Sequence, residues 1–416
     1  MSVDSAIVLL SALTLCNYWI SRSVLYPPLA FCGIWLLDLS LYWLDLTPID
    51  TLHSSTVGLI GIGAVLFSLG GSLALLVPKN IVEARLILTR FPPRNEIVKP
   101  AVIAFLFCGL PLLTANLLAM ASQGVGDTVF QRARTGGAAG ANGLGGAGPI
   151  GTYFILWSLY AAPLFLIERR DRNFWLMTSI AFVASILSTG RLPILMLISS
   201  LTCVQLMMAN RHTFWAALKF ARIPILIFII LFFGLIFVTK DTSVFEGGIG
   251  TILVLFLVGY IVGPTAALDY ALQHPQEYAG GPNHTFKFFL AVASQLHIIA
   301  YQPPPGEDFV FVPFPTNVFT VYRYYFFDFG LYGALFVITL IGFLQTLLYR
   351  KARTGSKLGI YFFAITLFAV FMSIFSDEYA AFGAYIDSLS FAAIYIILRS
   401  LPLRVLPRLE SGYGTG

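Results

Sequence analysis

The chain has 416 residues, of which 58% are hydrophobic and only 11% are charged, and its mean hydropathy is +0.83. A water-soluble domain of this length needs a far more polar surface, so this composition excludes a soluble globular protein. The net charge of +5 is small for such a long chain, and we expect no nucleic-acid partner.

Apolar runs long enough to cross a bilayer recur along the whole chain. Backbone amides must be satisfied within the segment in lipid, and a helix of about 20 apolar residues covers the hydrocarbon core. About eleven runs approach this length, at approximately 5–20, 29–44, 56–77, 101–121, 150–167, 173–188, 191–208, 223–239, 330–349, 358–376 and 385–400. The sequence therefore predicts an all-α integral membrane protein with one polytopic domain over 1–416. The first run lacks a basic segment before it and is followed at once by another run, which predicts a retained helix rather than a cleaved signal.

Basic residues are concentrated in alternate connections, namely 22–28, 78–100, 168–172, 209–222, 350–357 and the C-terminal tail. The positive-inside rule assigns these connections to the cytoplasm. Two long loops, 122–149 and 240–329, then lie on the periplasmic side. The apolar run Ile249–Val262 would reverse every later loop if it crossed the membrane, so we interpret it as a re-entrant or interfacial helix.

The first long loop contains RTGGAAGANGLGGAG, whose glycine content predicts a mobile or closely packed segment rather than an independent domain. The second long loop holds most of the polar groups suited to chemistry. No soluble domain or tandem repeat is visible in the sequence.

Four arginines lie on the side of the membrane that normally avoids positive charge: Arg132, Arg134, Arg191 and Arg323. A guanidinium offers a planar fork of donors that matches a phosphate or diphosphate. If the loops converge, these side chains would bind one anionic group at the membrane surface, and a lipid-linked diphosphate is such a group. The alternative is that each arginine reaches to lipid headgroups or caps a helix end.

Two residues are candidates for proton transfer. His284, in GGPNHTF, is our candidate proton acceptor, because an imidazole can take a proton from a sugar hydroxyl near neutral pH. Asp328 is the second candidate, with a structural ion pair or helix cap as the equal alternative, and Asp377 or Glu378 could join the same cavity. The other histidines are expected to be solvated or to pack on a surface helix: His53, His212, His274 and His297.

Aromatic residues are dense between Tyr301 and Phe329, where Asn317, Tyr324 and Tyr325 are candidate glycan contacts. An interfacial aromatic belt is the alternative. The sequence contains no Asp-x-Asp nucleotide-sugar motif, Walker loop or Ser/Cys nucleophile motif, and the four cysteines lie in apolar runs. We therefore expect no metal and no cofactor.

The run PTNVFTVYRYYFFDFGLYGALFVITLIGF resembles the late segment of the Wzy-type O-antigen polymerases. In that family an Asn-Val-Tyr-Thr-like stretch leads through aromatic residues to Asp-Phe-Gly and a span. The corresponding residues here are 317–320 and 328–330. GGPNHTF is similar to an upstream Asn-Thr-Phe region of the family, with His284 inserted, and STGRLPIL is similar to its Ser/Thr-Gly-Arg segment at the start of a middle span.

Some of these polymerases carry an Arg-x10-Gly motif in two external loops. That spacing fits both Arg132 and Arg134 in the glycine-rich first loop. It does not fit Arg323, because position 334 is Ala334, so a duplicated motif is not supported.

The resemblance implies a GT-C-like polytopic glycosyltransferase in the bacterial inner membrane, with its active site facing the periplasm. Such an enzyme joins undecaprenyl-diphosphate-linked oligosaccharide repeat units into O-antigen or a related surface polysaccharide, by inverting transfer without a metal. The implied partners are that lipid-linked oligosaccharide, membrane lipids and a chain-length regulator protein. O-antigen ligases share the architecture and an arginine and histidine site, so they are close alternatives. A lipid-linked oligosaccharide flippase is the alternative from another class. A flippase should carry charged residues along a route through its spans. Here the predicted spans contain almost no charged residues, and Asp38 is the main exception.

Overall fold

A computed structural model describes residues 1–46, 48–83, 97–139, 148–188, 192–211, 213–239, 249–278, 284–300, 310–312, 315–380 and 382–400. Nearly all regular structure in these ranges is helical. The helices are α1 (Val3–Ser21), α2 (Pro27–Trp43), α3 (Ser54–Leu76), α4 (Lys79–Glu83), α5 (Val98–Gln123), α6 (Val129–Ala139), α7 (Gly148–Glu168), α8 (Arg172–Leu187), α9 (Leu192–Met208), α10 (Phe214–Thr239), α11 (Ile249–Gln273), α12 (Pro275–Tyr278), α13 (Lys287–Gln295), α14 (Tyr322–Arg353), α15 (Lys357–Met372) and α16 (Phe382–Ser400). A 3₁₀ turn at Glu378–Ala380 and a short antiparallel hairpin, β1 (Val310–Phe311) and β2 (Pro315–Thr316), complete the described structure.

Five stretches of helix within the described residues are both long and apolar enough to cross a membrane: Val3–Ser21, Ser54–Leu76, Val98–Gln123, Gly151–Glu168 and Tyr322–Arg353. Three shorter helices, α8, α9 and α15, are also apolar. This agrees with the predicted all-α, membrane-embedded class. The larger number of spans expected from the sequence stays a prediction.

Contacts between residues far apart in the chain show which helix ends lie together at each of two ends of the protein. At one end, which we call the His53 end, the contacting pairs are Met1 with Ser54, Asp4 with Trp43, and His53 with Asp269. At the other, which we call the Arg350 end, they are Arg350 with Ala74 and Val77, and Lys351 with Val82. The Arg350 end therefore carries basic connections that the sequence assigns to the cytoplasm.

The helices α3 and α14 pack closely along much of their length. A Cβ atom at Gly70 would collide with the carbonyl oxygen of Thr339, and one at Gly342 would collide with that of Phe67. Small residues allow two backbones in a membrane to approach, and the gain in van der Waals contact stabilises the pair. The close approach fixes α14 against α3.

The helix α14 is interrupted at Gly330, whose φ of 69° and ψ of −177° are not helical. This region of backbone space is essentially restricted to glycine. The break separates a two-turn segment, 322–329, from the long apolar remainder of α14. The sequence placed the start of a span at 330, and the chain is in fact already helical from Tyr322 onwards.

The described part of the first long loop is α6, which folds back along the end of α5. Ala133 packs with Leu117 and Ala121, and a Cβ atom at Gly136 would collide with the Met120 carbonyl oxygen. Residues 140–147, which contain most of the glycines of this loop, lie outside the described residues.

The apolar run at Ile249–Val262 belongs to a longer helix, α11, which continues to Gln273. Thr265 Oγ1 donates to Asp38 Oδ2 at 2.9 Å and joins α11 to α2. Near its C-terminus α11 contacts the His53 end through Asp269. The re-entrant or interfacial placement of Ile249–Val262 stays a prediction.

A buried ion network joins α5, α7 and α16. Glu168 Oε2 lies 3.3 Å from Lys99 Nζ and 3.2 Å from Arg399 Nη2, and all three side chains are less than a tenth exposed. The Tyr395 hydroxyl donates to Glu168 Oε1 at 2.9 Å. The sequence interpretation treated ERRDR as a basic cytoplasmic connection and did not anticipate that its glutamate binds two cations from distant helices.

Candidate functional site

The start of α14 is held in place from two sides. Tyr322 is fully buried, its ring lies 5.3 Å from that of Trp35, and its hydroxyl donates to the Ile60 carbonyl at 3.4 Å. On the other side the Val321 amide donates to the Ser373 carbonyl at 2.9 Å. The segment 322–329 is therefore fixed between α3 and the connection from α15 to α16.

Three side chains that can carry positive charge surround Tyr324. The His284 ring is stacked on the Tyr324 ring at 5.1 Å and 9°, and Lys287 Nζ and Arg323 Cζ lie 5.7 and 5.6 Å from the same ring centroid. Arg323 is 7% exposed and stacks on Phe319 at 3.7 Å. We call His284, Lys287, Arg323 and Tyr324 the Tyr324 cluster. It offers cationic donors for an anion beside an aromatic face for a flat ligand.

Asp328 fastens the loop before α13 to α14. Its Oδ2 accepts a hydrogen bond of 2.7 Å from the Thr285 amide, one residue after His284. The neighbouring rings of Phe286 and Phe329 meet edge to face at 5.9 Å. This anchoring places His284 in the cluster, so the observed contact of Asp328 is a positioning one.

Tyr325 is 2% exposed, which argues against the predicted glycan contact at this residue. Its hydroxyl donates to Asp377 Oδ1 at 2.8 Å, and the Tyr379 amide donates to the same oxygen at 3.0 Å. The ring of Tyr325 is thus enclosed by protein. Tyr324 is only partly buried and remains a candidate for a sugar-facing ring.

A second carboxyl, Glu378, lies in the same connection between α15 and α16. Burial raises the pKa of this carboxyl above its ordinary value of 4.5, although a hydrogen bond from Ser376 and the charge of Lys287 act in the opposite direction. The Ser376 hydroxyl donates to Glu378 Oε1 at 2.7 Å. Glu378 therefore lies close enough to Lys287 for their charges to interact, and a shared cavity with Asp377 or Glu378 stays a prediction.

Buried polar atoms without a hydrogen-bond partner among the described residues gather around the start of α14. They include Thr285 Oγ1, Thr320 Oγ1, Asp328 Oδ1 and Ser373 Oγ. Buried polar groups are ordinarily satisfied by protein, water or a ligand. The start of α14 therefore carries buried polar atoms that can bond to water or to a ligand.

The predicted meeting of four arginines stays a prediction. Arg132 lies exposed on α6, which packs on α5 and α10, whereas Arg323 lies on α14, which packs on α3 and α15. Arg134 is also on α6, but its side chain lies outside the described residues, as does the whole of Arg191. Asn317 is exposed in the connection between β2 and α14, shortly before the Tyr324 cluster in the chain.

Sequence reasoning missed a histidine and carboxylate pair at the His53 end. His53 Nδ1 lies 2.9 Å from Asp269 Oδ2, and Asp269 Oδ1 accepts from the His53 amide at 3.1 Å and from Thr56 Oγ1 at 2.5 Å. The His53 side chain is 58% exposed, whereas that of Asp269 is 11% exposed. An imidazole oriented by a carboxylate is an arrangement used for general bases. The two residues are 216 apart in the chain, so no local pattern could reveal the pair.

Clefts among the described residues occur away from the Tyr324 cluster. Two open clefts of about 440 and 470 Å³ lie at the Arg350 end and share Arg353 and Thr354. Residues 279–283 and 301–309, which flank the loop of His284 in the chain, lie outside the described residues. We therefore locate the candidate site by its chemistry rather than by the size of a cavity.

The described residues contain no group of three or more His, Cys, Asp or Glu side chains able to hold a metal ion. No protein-family model, curated protein or solved structure matches the chain. The resemblance to the Wzy-type polymerases therefore depends on the sequence motifs alone.

Proposed function

We propose that the protein polymerises undecaprenyl-diphosphate-linked oligosaccharide repeat units at the periplasmic face of the bacterial inner membrane. The observation that carries this proposal is the Tyr324 cluster, because it gathers three basic side chains and an aromatic face at one end of an apolar helical protein. A diphosphate with a sugar attached presents both an anion and a flat apolar face. The order of the motifs from GGPNHTF to Asp-Phe-Gly supports the same class.

Arg323 and Lys287 would bind the donor diphosphate. Donors fixed in advance stabilise the negative charge that builds on a leaving group and do not have to reorganise during the reaction. Arg132, Arg134 and Arg191 are further proposed diphosphate contacts on the sequence argument. In a GT-C-like architecture these groups would come from different loops at one membrane surface.

The reaction needs only the donor, the acceptor and a proton acceptor. The acceptor hydroxyl oxygen attacks the anomeric carbon of the growing glycan and forms the new glycosidic bond. The bond from that carbon to the diphosphate breaks, and its electron pair leaves with undecaprenyl diphosphate. Attack from the opposite face inverts the anomeric centre. The glycosyl diphosphate itself supplies the energy, so the proposal includes no metal and no nucleotide.

Two histidines compete for the role of proton acceptor. His284 lies in the Tyr324 cluster beside the proposed donor site. His53 has the carboxylate partner Asp269, and Tyr270, the residue after Asp269, packs in one apolar cluster with Phe319. Because Phe319 also stacks on Arg323, the pair lies in the neighbourhood of the proposed site. The anchoring contact of Asp328 favours positioning over proton transfer for that carboxylate.

Substitution of Arg323 tests the proposal. Arg323→Gln removes the charge, and Arg323→Lys keeps the charge but loses the planar fork that binds a diphosphate with two donors. We expect loss of long-chain polysaccharide in the first variant and strongly shortened chains in the second, at normal protein levels in the membrane. Arg170→Gln is the control, because Arg170 is exposed and, among the described residues, stacks on Trp175 away from the cluster. Wild-type chain lengths in Arg323→Gln would overturn the assignment.

An O-antigen ligase is the nearest alternative, since the stacked His284 and the nearby Arg323 also fit the arginine and histidine site that the resemblance implies for ligases. A ligase transfers finished glycan to a lipid A core, so its loss leaves long lipid-linked chains. Loss of a polymerase leaves single repeat units outside the membrane, and loss of a flippase leaves them inside. The products that accumulate in a deletion strain separate the three classes.

A further inference from the structure

A basic cleft opens at the Arg350 end, far along α14 from the Tyr324 cluster. It lies between the ends of α1, α3, α4 and α14 and has a volume of about 440 Å³. We call it the Lys79 cleft. Nothing in the proposed polymerase reaction uses it.

The charged side chains of the described residues that line the Lys79 cleft are positive. Lys79, Arg350 and Arg353 line it, and the part of the lining that the structure describes contains no Asp or Glu. Arg350 Nη1 donates to the Ala74 and Val77 carbonyls and thereby satisfies the end of α3. Lys79 and Arg353 are exposed, so both can reach an anion in the cleft.

Below these charges the cleft is aromatic and apolar. The rings of Tyr26 and Tyr349 meet edge to face at 5.8 Å in its lining. Ile20 and Leu75 also line the cleft and are 49% and 37% exposed. A ligand that fits both parts has an anionic group attached to an apolar chain.

We propose that the Lys79 cleft binds the headgroup of an anionic phospholipid from the adjacent leaflet, with the phosphate between Lys79 and Arg353 and an acyl chain along Ile20 and Leu75. Basic pockets between transmembrane helices bind anionic headgroups for the same electrostatic reason. The apolar wall favours a lipid over a free phosphate ion, because an ion gains nothing from it. This inference does not depend on the proposed polymerase function.

Lipid binding to the purified full-length protein tests the proposal. The protein in detergent is titrated with phosphatidylglycerol, phosphatidylcholine or inorganic phosphate, and bound molecules are counted by native mass spectrometry. Lys79→Gln/Arg353→Gln is compared with Arg169→Gln/Arg170→Gln, which removes two exposed charges outside the residues that line the cleft. Since each basic residue near a membrane contributes on the order of 1 kcal/mol, the first variant should bind phosphatidylglycerol about tenfold to thirtyfold more weakly.

The expected result is preferential binding of phosphatidylglycerol over phosphatidylcholine, weakened in the cleft variant and unchanged in the control variant. Equal weakening in both variants would show diffuse attraction and overturn the site. Unchanged binding in the cleft variant would also overturn it. Inorganic phosphate that displaces phosphatidylglycerol at comparable concentration would identify a free-anion site and contradict the lipid assignment.

Discussion

Removing the charge of Glu168 should destabilise the protein strongly, because this carboxylate is the shared partner of two buried cations. Glu168→Gln keeps the shape of the side chain but leaves Lys99 and Arg399, which lie 3.3 and 3.2 Å away, without their central anion. Breaking a buried ion pair from one side costs about 3–5 kcal/mol, since the partner that remains is desolvated and loses a close charge of opposite sign. We expect a loss of this size in the free energy of unfolding.

Asp171 provides a matched control on the same cation. It lies 3.5 Å from Lys99 but is 28% exposed, and it caps α8 by accepting from the Phe174 amide. Asp171→Asn keeps a good capping residue and removes only a partly solvated pair, so its cost should stay below about 1 kcal/mol. The assay is unfolding of the purified protein in mixed micelles with increasing SDS. Equal losses in both variants, or no loss in Glu168→Gln, would refute the reasoning.

Three further predictions concern the backbone break, the connection between α15 and α16, and the His53 pair. Gly330→Ala should lower the free energy of unfolding by about 1–3 kcal/mol, because φ is positive at this residue. Gly58→Ala in α3 should be neutral or mildly stabilising, because a Cβ atom there meets no neighbour among the described residues. Equal SDS unfolding midpoints for the two variants would contradict this prediction. Burial raises the pKa of Glu378 above its ordinary value of 4.5. The protonated carboxyl therefore contributes to stability fully below pH 4.5, and this contribution is lost as the pH rises through the raised pKa. Thermal stability of the wild type should therefore fall more steeply than that of Glu378→Gln as pH is raised from about 4.5, and parallel curves would contradict this. His53→Asn keeps a donor toward the carboxylate but no basic nitrogen, so polysaccharide synthesis should fall at normal stability, whereas His274→Asn should have no effect; full synthesis in the first variant would exclude His53 as the base.

The helical, membrane-embedded class could be predicted because length and apolarity of a run are local properties. The Asp-Phe-Gly motif was likewise visible, and its glycine stands where α14 is interrupted. The sequence also placed His284, Arg323 and Tyr324 in one region, and the structure brings them together. Arg323 and Tyr324 are neighbours in the chain, whereas His284 joins them through the contact of the Thr285 amide with Asp328.

Long-range pairing could not be predicted in this way. Tyr325 looked like its neighbour Tyr324, and only the packing of the connection from α15 to α16 buries it against Asp377. His53 and Asp269 each have the sequence context of an ordinary polar residue, and only the packing of α11 beside the start of α3 brings them together. Charge patterns predict which side of the membrane a loop occupies, but the partner of a charge depends on how distant helices pack.

A reaction of purified protein with defined lipid-linked repeat units tests the proposed polymerase activity most directly. A single repeat unit on undecaprenyl diphosphate is the only substrate, and products are separated by size. The wild-type protein should form a ladder of longer lipid-linked chains and release undecaprenyl diphosphate, and Arg323→Gln should form none. Single repeat units that remain unchanged in the presence of correctly folded wild-type protein would contradict polymerisation.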